Sequence, residues 1–320
     1  MLYFLKKFFI DDPMERTKKI YFWCFNVIGM HCSFLYIPYY YLYIRRFFRI
    51  DKDGRVGLSQ ACSTIVRGCN LRCEFCTTFS PYWQGVNSAD ELLASYVEWR
   101  KKLKPQFFVL TGGEPLLHPE LERIIRESAK IWNDSRLWLG TNGLLLDRIK
   151  PEVLQAIKET GYELFVTEHT FDPEHRKKLD AGYARLKQES IPFVVRPSRL
   201  TWIARYQYDD SASENRKFIP HKSDAGRALK HCKSCDCTTI YGDKLYRCAC
   251  VLFARLMTQE GVLNSDLWKD ALIYTSPTLQ STPEEILEHL RCRVRPECTV
   301  CPDRTNIIPA RQLPVHKGEA

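Results

Sequence analysis

Gln106-Phe107-Phe108-Val109-Leu110-Thr111-Gly112-Gly113-Glu114-Pro115 joins a short unbroken apolar run to a glycine pair. A run of this length, closed by glycine and proline, is expected of a parallel strand buried on both faces. The pattern on either side alternates with it. Upstream, Ser88 with Glu91 three positions later reads as a capping box, followed by a helical apolar face of Leu92, Leu93, Tyr96, Val97 and Leu103. Downstream, Pro119 can open a helix at its first position, with Leu121, Ile124, Ile125 and Trp132 facing inward. A strand over 136–140, a Pro151-led helix with Val153, Leu154 and Ile157, a strand over 162–167, a charged helix over about 174–188 and a strand at Phe193–Arg196 follow. This alternation predicts an α/β fold of right-handed βαβ units around a parallel sheet, open or closed into a barrel. Ligands of such sheets bind at the carboxyl ends of the strands.

At 320 residues the chain is long enough for about two domains. Hydrophobic residues at 45% and charged residues at 27% exclude a disordered, collagen-like or coiled-coil protein. The net charge of +9 is uneven: residues 1–59 hold 10 Lys/Arg against 5 Asp/Glu, and residues 231–320 hold 11 against 11. The basic excess is therefore local, which argues against a nucleic-acid-binding protein as a whole.

Residues 1–57 form an aromatic, basic extension, and 16 of the 40 aromatics fall within the first 50 positions. Between Lys19 and Arg45 the only titratable side chains besides cysteine and tyrosine are those of His31. The length suits a membrane span. Asn26, His31, Ser33, Pro38 and the tyrosines 39, 40, 41 and 43 instead suit an interfacial position, since Tyr and Trp flanked by Lys/Arg favour the membrane surface. The alternative is an aromatic extension packed on the rest of the protein. Asp11, Asp12 and Glu15 argue against a signal peptide.

Just after the first expected strand stands Cys69-Asn-Leu-Arg-Cys73-Glu-Phe-Cys76. Three thiolates on one tight loop can fill three corners of a metal centre and leave one open, whereas a structural zinc site wants four protein ligands. Zinc with a remote fourth ligand is the competing reading.

The Cys-x3-Cys-x2-Cys spacing, with Phe75 before the third cysteine, resembles the radical S-adenosylmethionine (SAM) superfamily. Thr111-Gly112-Gly113-Glu114-Pro115 resembles its Gly-Gly-Glu-Pro motif, and Gly140-Thr141-Asn142-Gly143 its Thr-Asn-Gly. The resemblance covers about 62–200 and implies a partial (β/α)6 TIM-like barrel over 58–230. It implies that Cys69, Cys73 and Cys76 bind a 4Fe–4S cluster whose fourth iron chelates SAM, for reductive cleavage to a 5′-deoxyadenosyl radical that abstracts a substrate hydrogen. It further implies that Gly112, Gly113 and Glu114 hold the methionine ammonium, that Phe75 packs near the adenine, and that Asn142, Thr167 and Arg196 line the SAM site. Thr167-Glu168-His169 stands where many peptide-modifying relatives carry Ser-x-Asp-Gly.

Eight cysteines lie within residues 231–320: 232, 235, 237, 248, 250, 292, 298 and 301. Ile240–Tyr246 reads as a hairpin turning at Gly242-Asp243. A cysteine before the hairpin, Cys248 after it and the late Cys298-Thr-Val-Cys301 resemble the "twitch" half of a SPASM auxiliary-cluster domain. That resemblance implies a second 4Fe–4S cluster on Cys248, Cys298 and Cys301 with Cys232, Cys235 or Cys237, and structural zinc is the alternative. Cys250 and Cys292 are spare ligands or small buried hydrophobes.

An auxiliary cluster can accept the electron that an oxidation must remove, so the chain reads as an oxidoreductase acting on a small hydroxylated molecule. The alternatives are a peptide maturase and a non-catalytic iron–sulfur or zinc protein. Tyr82, Trp83, Trp202 and His169 are substrate-site candidates. A flavodoxin or ferredoxin is the expected electron donor, and thiolate-held clusters imply the reducing cytoplasm, with membrane contact through the N-terminus as a variant.

Overall fold

The computed structural model describes residues 47–169, 172–196, 202–209, 217–232, 237–291, 294–304 and 307–308. The chain divides into Met1–Arg46 and Phe47–Ala320, and all described residues belong to the second unit. Within the expected extension up to residue 57 lies a turn in which Asp51 Oδ1 accepts the N–H groups of Asp53 and Arg55, both at 2.9 Å. It folds 47–50 back on the first strand, where Gly57 N–H donates to Arg49 O at 2.7 Å. The stretch 20–44, where membrane contact was expected, lies outside the described residues. Among the described residues no helix is long and apolar enough to cross a membrane.

Strands β1 (Val56–Val66), β2 (Leu103–Gly112), β3 (Arg136–Thr141), β4 (Glu163–Thr167) and β5 (Phe193–Arg196) alternate with helices α1 (Ala89–Arg100), α2 (Leu121–Ile131), α3 (Pro151–Thr160) and α4 (Pro173–Gln188). The five strands pair in parallel in chain order. Side chains on one sheet face meet the helices: Tyr96 of α1 donates to Ser63 Oγ at 2.6 Å and packs edge-on to Phe108. Trp132 stacks on Phe108, and Tyr183 of α4 stacks on Phe193. The opposite parity forms a second face, with an aromatic row of Phe107, Trp138 and Phe165. Four helices on one side of a parallel sheet suit the partial-barrel form of α/β architecture, not the doubly wound form with helices on both faces.

Three local expectations shift, the first being that Leu103, expected on the helix, opens β2. The buried face of α1 is Ala89, Leu93, Tyr96 and Trp99, while Val97 is 45% exposed. Pro119 sits in a turn ahead of α2, where His118 Nδ1 accepts the Glu120 N–H at 3.1 Å.

Beyond β5 come short ladders of β6 (Trp202–Ile203) with a late β11 (Ile307–Ile308), and of β7 (Gln207–Asp209) with β8 (Lys217–Ile219). Helix α5 (Ala225–Lys230) follows, then the hairpin of β9 (Thr238–Tyr241) and β10 (Lys244–Tyr246), and helices α6 (Ala249–Gln259), α7 (Lys269–Leu272) and α8 (Pro283–Leu290). The expected hairpin is present, but β9 pairs in parallel with β1 and extends the main sheet. The Gly242 carbonyl at its turn accepts from Ser95 Oγ and Trp99 Nε1 of α1. The first strands of the region expected as a C-terminal domain from 231 thus belong to the main sheet.

Candidate functional site

The three motifs expected to act together do meet. Val66 ends β1, and the cysteine loop then passes beside the glycine pair that ends β2. Gly113 N–H donates to Val66 O at 2.9 Å and Glu114 N–H to Gly68 O at 3.0 Å. A Cβ at Gly113 would stand 2.1 Å from Gly68 O, and one at Gly112 2.3 Å from Val66 O. The glycines are therefore required by this chain's own cysteine loop, in addition to any ligand they face.

Glu114 is fully buried and binds the third motif. One carboxylate oxygen accepts from Thr141 Oγ1 at 2.7 Å and Leu116 N–H at 3.0 Å, and the other from Asn142 N–H at 2.7 Å. The side chain expected to help hold an ammonium group thus already accepts from three protein donors. Burial pushes its pKa up to about 7, against the pull of those three donors. A carboxyl that binds its proton more tightly when folded contributes stability below its unfolded pKa of 4.5, and loses it as pH rises through 7. The stability of the protein relative to Glu114→Gln is accordingly expected to fall by about 3 kcal/mol between pH 4.5 and 8. Urea denaturation of both proteins across that range measures it, and a flat difference would contradict it.

Asn142 completes the junction. Its Nδ2 donates to Asn70 Oδ1 at 2.7 Å and to Cys69 Sγ at 3.6 Å. Leu71 N–H also donates to Cys69 Sγ, at 3.4 Å. Burial outweighs both donors and pushes the Cys69 thiol up to about 12, with Glu114 and Cys76 adding to the rise. Cys76 Sγ lies 3.1 Å from Thr78 Oγ1, and Cys73 is buried. Among the described residues no three His, Cys, Asp or Glu side chains converge on a single ion. A cubane takes one thiolate per iron, so its ligands need not converge. Three thiols on one loop, two amide donors to Cys69 sulfur and a glycine cradle that admits no Cβ fit such a cluster.

Phe75 adopts φ 55°, a strained left-handed conformation for a bulky residue. Two tyrosines hold it there: Tyr208 Oη accepts the Phe75 N–H at 3.5 Å, and Tyr206 Oη donates to Cys76 O at 3.3 Å. The Phe75 ring lies 5.5 Å from that of Tyr206 and 4.8 Å from that of Tyr208. Sequence reasoning missed both tyrosines, because strands as short as β7 carry no readable period. The Tyr–x–Tyr alternation at 206 and 208 was the available signal.

The substrate-site candidates divide. Trp83 is buried, its Nε1 donating to Thr78 O at 2.8 Å, and Tyr82 packs edge-on to Phe218. Both belong to an aromatic core with Phe79 and Tyr206 that braces the cysteine loop from behind. The side chain of Trp202 lies outside the described residues. Burial pushes His169 down to about 4, with Arg196 adding to the effect, so its imidazole is neutral. Thr167 and Arg196 stand opposite one another at the ends of β4 and β5. Burial lowers the Arg196 pKa, with Cys237 and Arg205 as its charged neighbours. Glu168 turns away, accepting from Arg176 at 2.8 Å and Tyr183 at 3.0 Å.

Residues 63–187 match the radical SAM superfamily. The chain carries a radical SAM domain. GTP 3′,8-cyclase from Aquifex aeolicus is 38% identical over 118 residues, covering 35% of each chain. The GTP 3′,8-cyclase of Microcystis aeruginosa is 36% identical over 98 residues, covering 29% of this chain and 30% of its own. The chain thus spans about a third of the length of the curated relatives it matches. Among solved structures, BtrN in complex with AdoMet and 2-DOIA aligns with a TM-score of 0.43 at 14% identity, covering 78% of this chain and 92% of that one. Members of the superfamily use a 4Fe–4S cluster and SAM, and the radical SAM domain here includes the loop of Cys69, Cys73 and Cys76.

A second thiol group gathers in the C-terminal region. Cys250 is within sulfur hydrogen-bonding reach of both Cys248 and Cys301. Cys232 and Cys298 are their electrostatic neighbours. Cys248 is the N-cap of α6 and Cys250 lies in its first turn, where the helix dipole favours thiolates. Thiol–thiol contact with Cys250, then burial, raises the Cys248 pKa, and burial pushes Cys298 up to about 11. Cys237 stands apart: it accepts from Gln60 Nε2 of β1 at 3.1 Å and lies near Arg196. Of the expected ligands, Cys237 borders β9, and Cys250, expected as a spare ligand, lies beside Cys248 and Cys301. Cys235 and Cys292 lie outside the described residues.

Proposed function

We propose that this protein is a radical SAM oxidoreductase with a second, thiolate-held iron–sulfur centre, acting on a small hydroxylated molecule. The observation that carries the reading is the presence of two separate thiol groups, one at the sheet's carboxyl end and one around the start of α6. Cys69, Cys73 and Cys76 would hold the first cluster. Gly112, Gly113, Asn142, Thr167, Arg196 and the Phe75 ring would surround SAM. Cys248, Cys250, Cys298 and Cys301, with Cys232, supply more than the four thiolates a second cluster needs.

When bound, the first cluster supplies the electron that cleaves SAM, drawn from a reductant of the flavodoxin or ferredoxin kind. The chain's own residues hold that chemistry in place. Glu114 and Asn142 lock the three motif loops together, and Tyr206 and Tyr208 keep the strained turn at Phe75 from relaxing. Arg196 can pair with a carboxylate at the end of β5, and neutral His169 adds no second charge there. Removing a hydrogen atom and then an electron from an alcohol carbon, with the hydroxyl proton released to solvent, leaves a carbonyl, two hydrogens being lost overall. A second centre is a fitting acceptor for that electron.

The second reading is redox-neutral chemistry on a nucleoside triphosphate, favoured by the sequence likeness to GTP 3′,8-cyclases. Mass spectrometry separates the two. Reduced, reconstituted protein is incubated anaerobically with SAM and panels of polyols, aminocyclitols, nucleoside triphosphates and peptides. A SAM-dependent product two hydrogens lighter than a polyol or aminocyclitol is expected. A product isomeric with its substrate, or modification of peptides alone, would contradict the proposal.

A further inference from the structure

A buried polar chain links two of the C-terminal cysteines through residues that carry no thiol. Tyr274 and His289 are 3% and 7% exposed. The Tyr274 hydroxyl accepts the backbone N–H of Arg247 at 2.8 Å and shares a hydrogen bond of 2.6 Å with His289 Nε2. His289 O accepts from Arg295 Nη2 at 3.0 Å, and Arg295 O accepts the Cys298 N–H at 3.0 Å. Arg247, which precedes Cys248 directly, also donates through Nη1 to Arg291 O at 3.0 Å. The connection therefore runs from Cys248 through Arg247, Tyr274, His289 and Arg295 to Cys298. Tyr246 stacks on Tyr274 at 5.7 Å and 10°, which fixes the ring carrying the central hydroxyl.

We infer that Tyr274 and His289 are positioning residues for the C-terminal metal centre, their hydrogen bond setting the distance between the Cys248 and Cys298 loops. The inference rests on the reading above that these thiols hold a metal. Cys248 leaves the end of a sheet strand, while Cys298 lies in the short 3-10 turn Pro296–Val300 after α8. Nothing in the local sequence fixes one against the other, and a rigid multi-thiolate centre needs its ligands in place before binding. Groups just outside the ligands do this work in metal sites, and losing one weakens binding by about 10–100-fold. The bridge also holds Arg247 and Arg295 beside the thiol loops, where positive charge favours thiolates. A buried polar chain broken at its middle leaves both halves unsatisfied, so the geometry is all-or-none.

The test uses the full chain with Cys69, Cys73 and Cys76 replaced by alanine, so that only the C-terminal centre remains. After anaerobic reconstitution, iron and zinc per chain, the EPR spectrum of the reduced centre and its midpoint potential are measured. Tyr274→Phe, which keeps the ring and its stacking, is expected to weaken metal binding by about 10–100-fold and to alter the spectrum and potential, with circular dichroism unchanged. His289→Gln, which can still hydrogen-bond the phenol, should stay near the parent, and His289→Leu should follow Tyr274→Phe. Should Tyr274→Phe fail to fold, the two His289 variants carry the comparison. Unchanged metal, spectrum and potential in Tyr274→Phe or His289→Leu would overturn the inference. A parent that binds no metal would overturn it differently, by removing the centre on which it rests.

Discussion

Cys76→Ala is expected to abolish reductive cleavage of SAM while leaving the chain folded. Of the three motif cysteines, Cys76 separates chemistry from stability best. Cys73 is buried in the core, and Cys69 sulfur accepts two hydrogen bonds whose loss would slacken the motif junction. Cys76 is half-buried, and its sulfur meets Thr78 Oγ1, a hydroxyl that also bonds Ser80 Oγ at 2.8 Å. Truncation there should cost about 1 kcal/mol of stability, while the cluster loses one of its three protein ligands. Cleavage of SAM by dithionite-reduced protein, followed by chromatography, is expected to drop to background. Retained cleavage at the wild-type rate would mean that this loop does not hold the cluster.

Gly113→Ala carries the second large effect, and here stability and chemistry fall together. The new methyl group would stand 2.1 Å from Gly68 O and 2.6 Å from Arg67 O. Both atoms are backbone, so no side chain can swing aside. Relief requires moving the segment that carries Cys69 away from β2, which breaks the hydrogen bonds of Gly113 and Glu114 N–H to that segment. Overpacking of this kind costs about 1–3 kcal/mol and sometimes more, or roughly 2–5 °C in melting temperature for a chain of this size. Differential scanning fluorimetry measures the shift, and iron content after reconstitution should fall with it. An unchanged melting temperature would show that the two loops are not in contact in solution.

Much of the radical SAM domain was legible in the sequence because its signals are local. The run at Gln106–Leu110 and the apolar spacing of Leu121, Ile124 and Ile125 each fit one period, and the strands and helices stand where those periods put them. The three motifs were legible as units, since each occupies a few consecutive residues. Their division of labour was not. A carboxylate beside a ligand-facing glycine pair looks the same in sequence whether it points to a ligand or, as Glu114 does, to Thr141 and Asn142. The C-terminal region was harder because its contacts are remote in sequence. Pairing of β9 with β1 joins residues about 177 positions apart, as the contact of Gln60 with Cys237 records. That pairing sets Cys237 beside Gln60, and Cys250, which shares no CxxC spacing with its neighbours, lies with Cys248 and Cys301. Tyr274, just past α7, and His289 of α8 are 15 residues apart and have no sequence signature at all.

Iron and acid-labile sulfide per chain, measured after anaerobic purification and reconstitution, test the central claim most directly. The account predicts about eight irons in the native chain and about four when Cys69, Cys73 and Cys76 are replaced together. A native chain without iron, or a triple variant that keeps the native content, would contradict it.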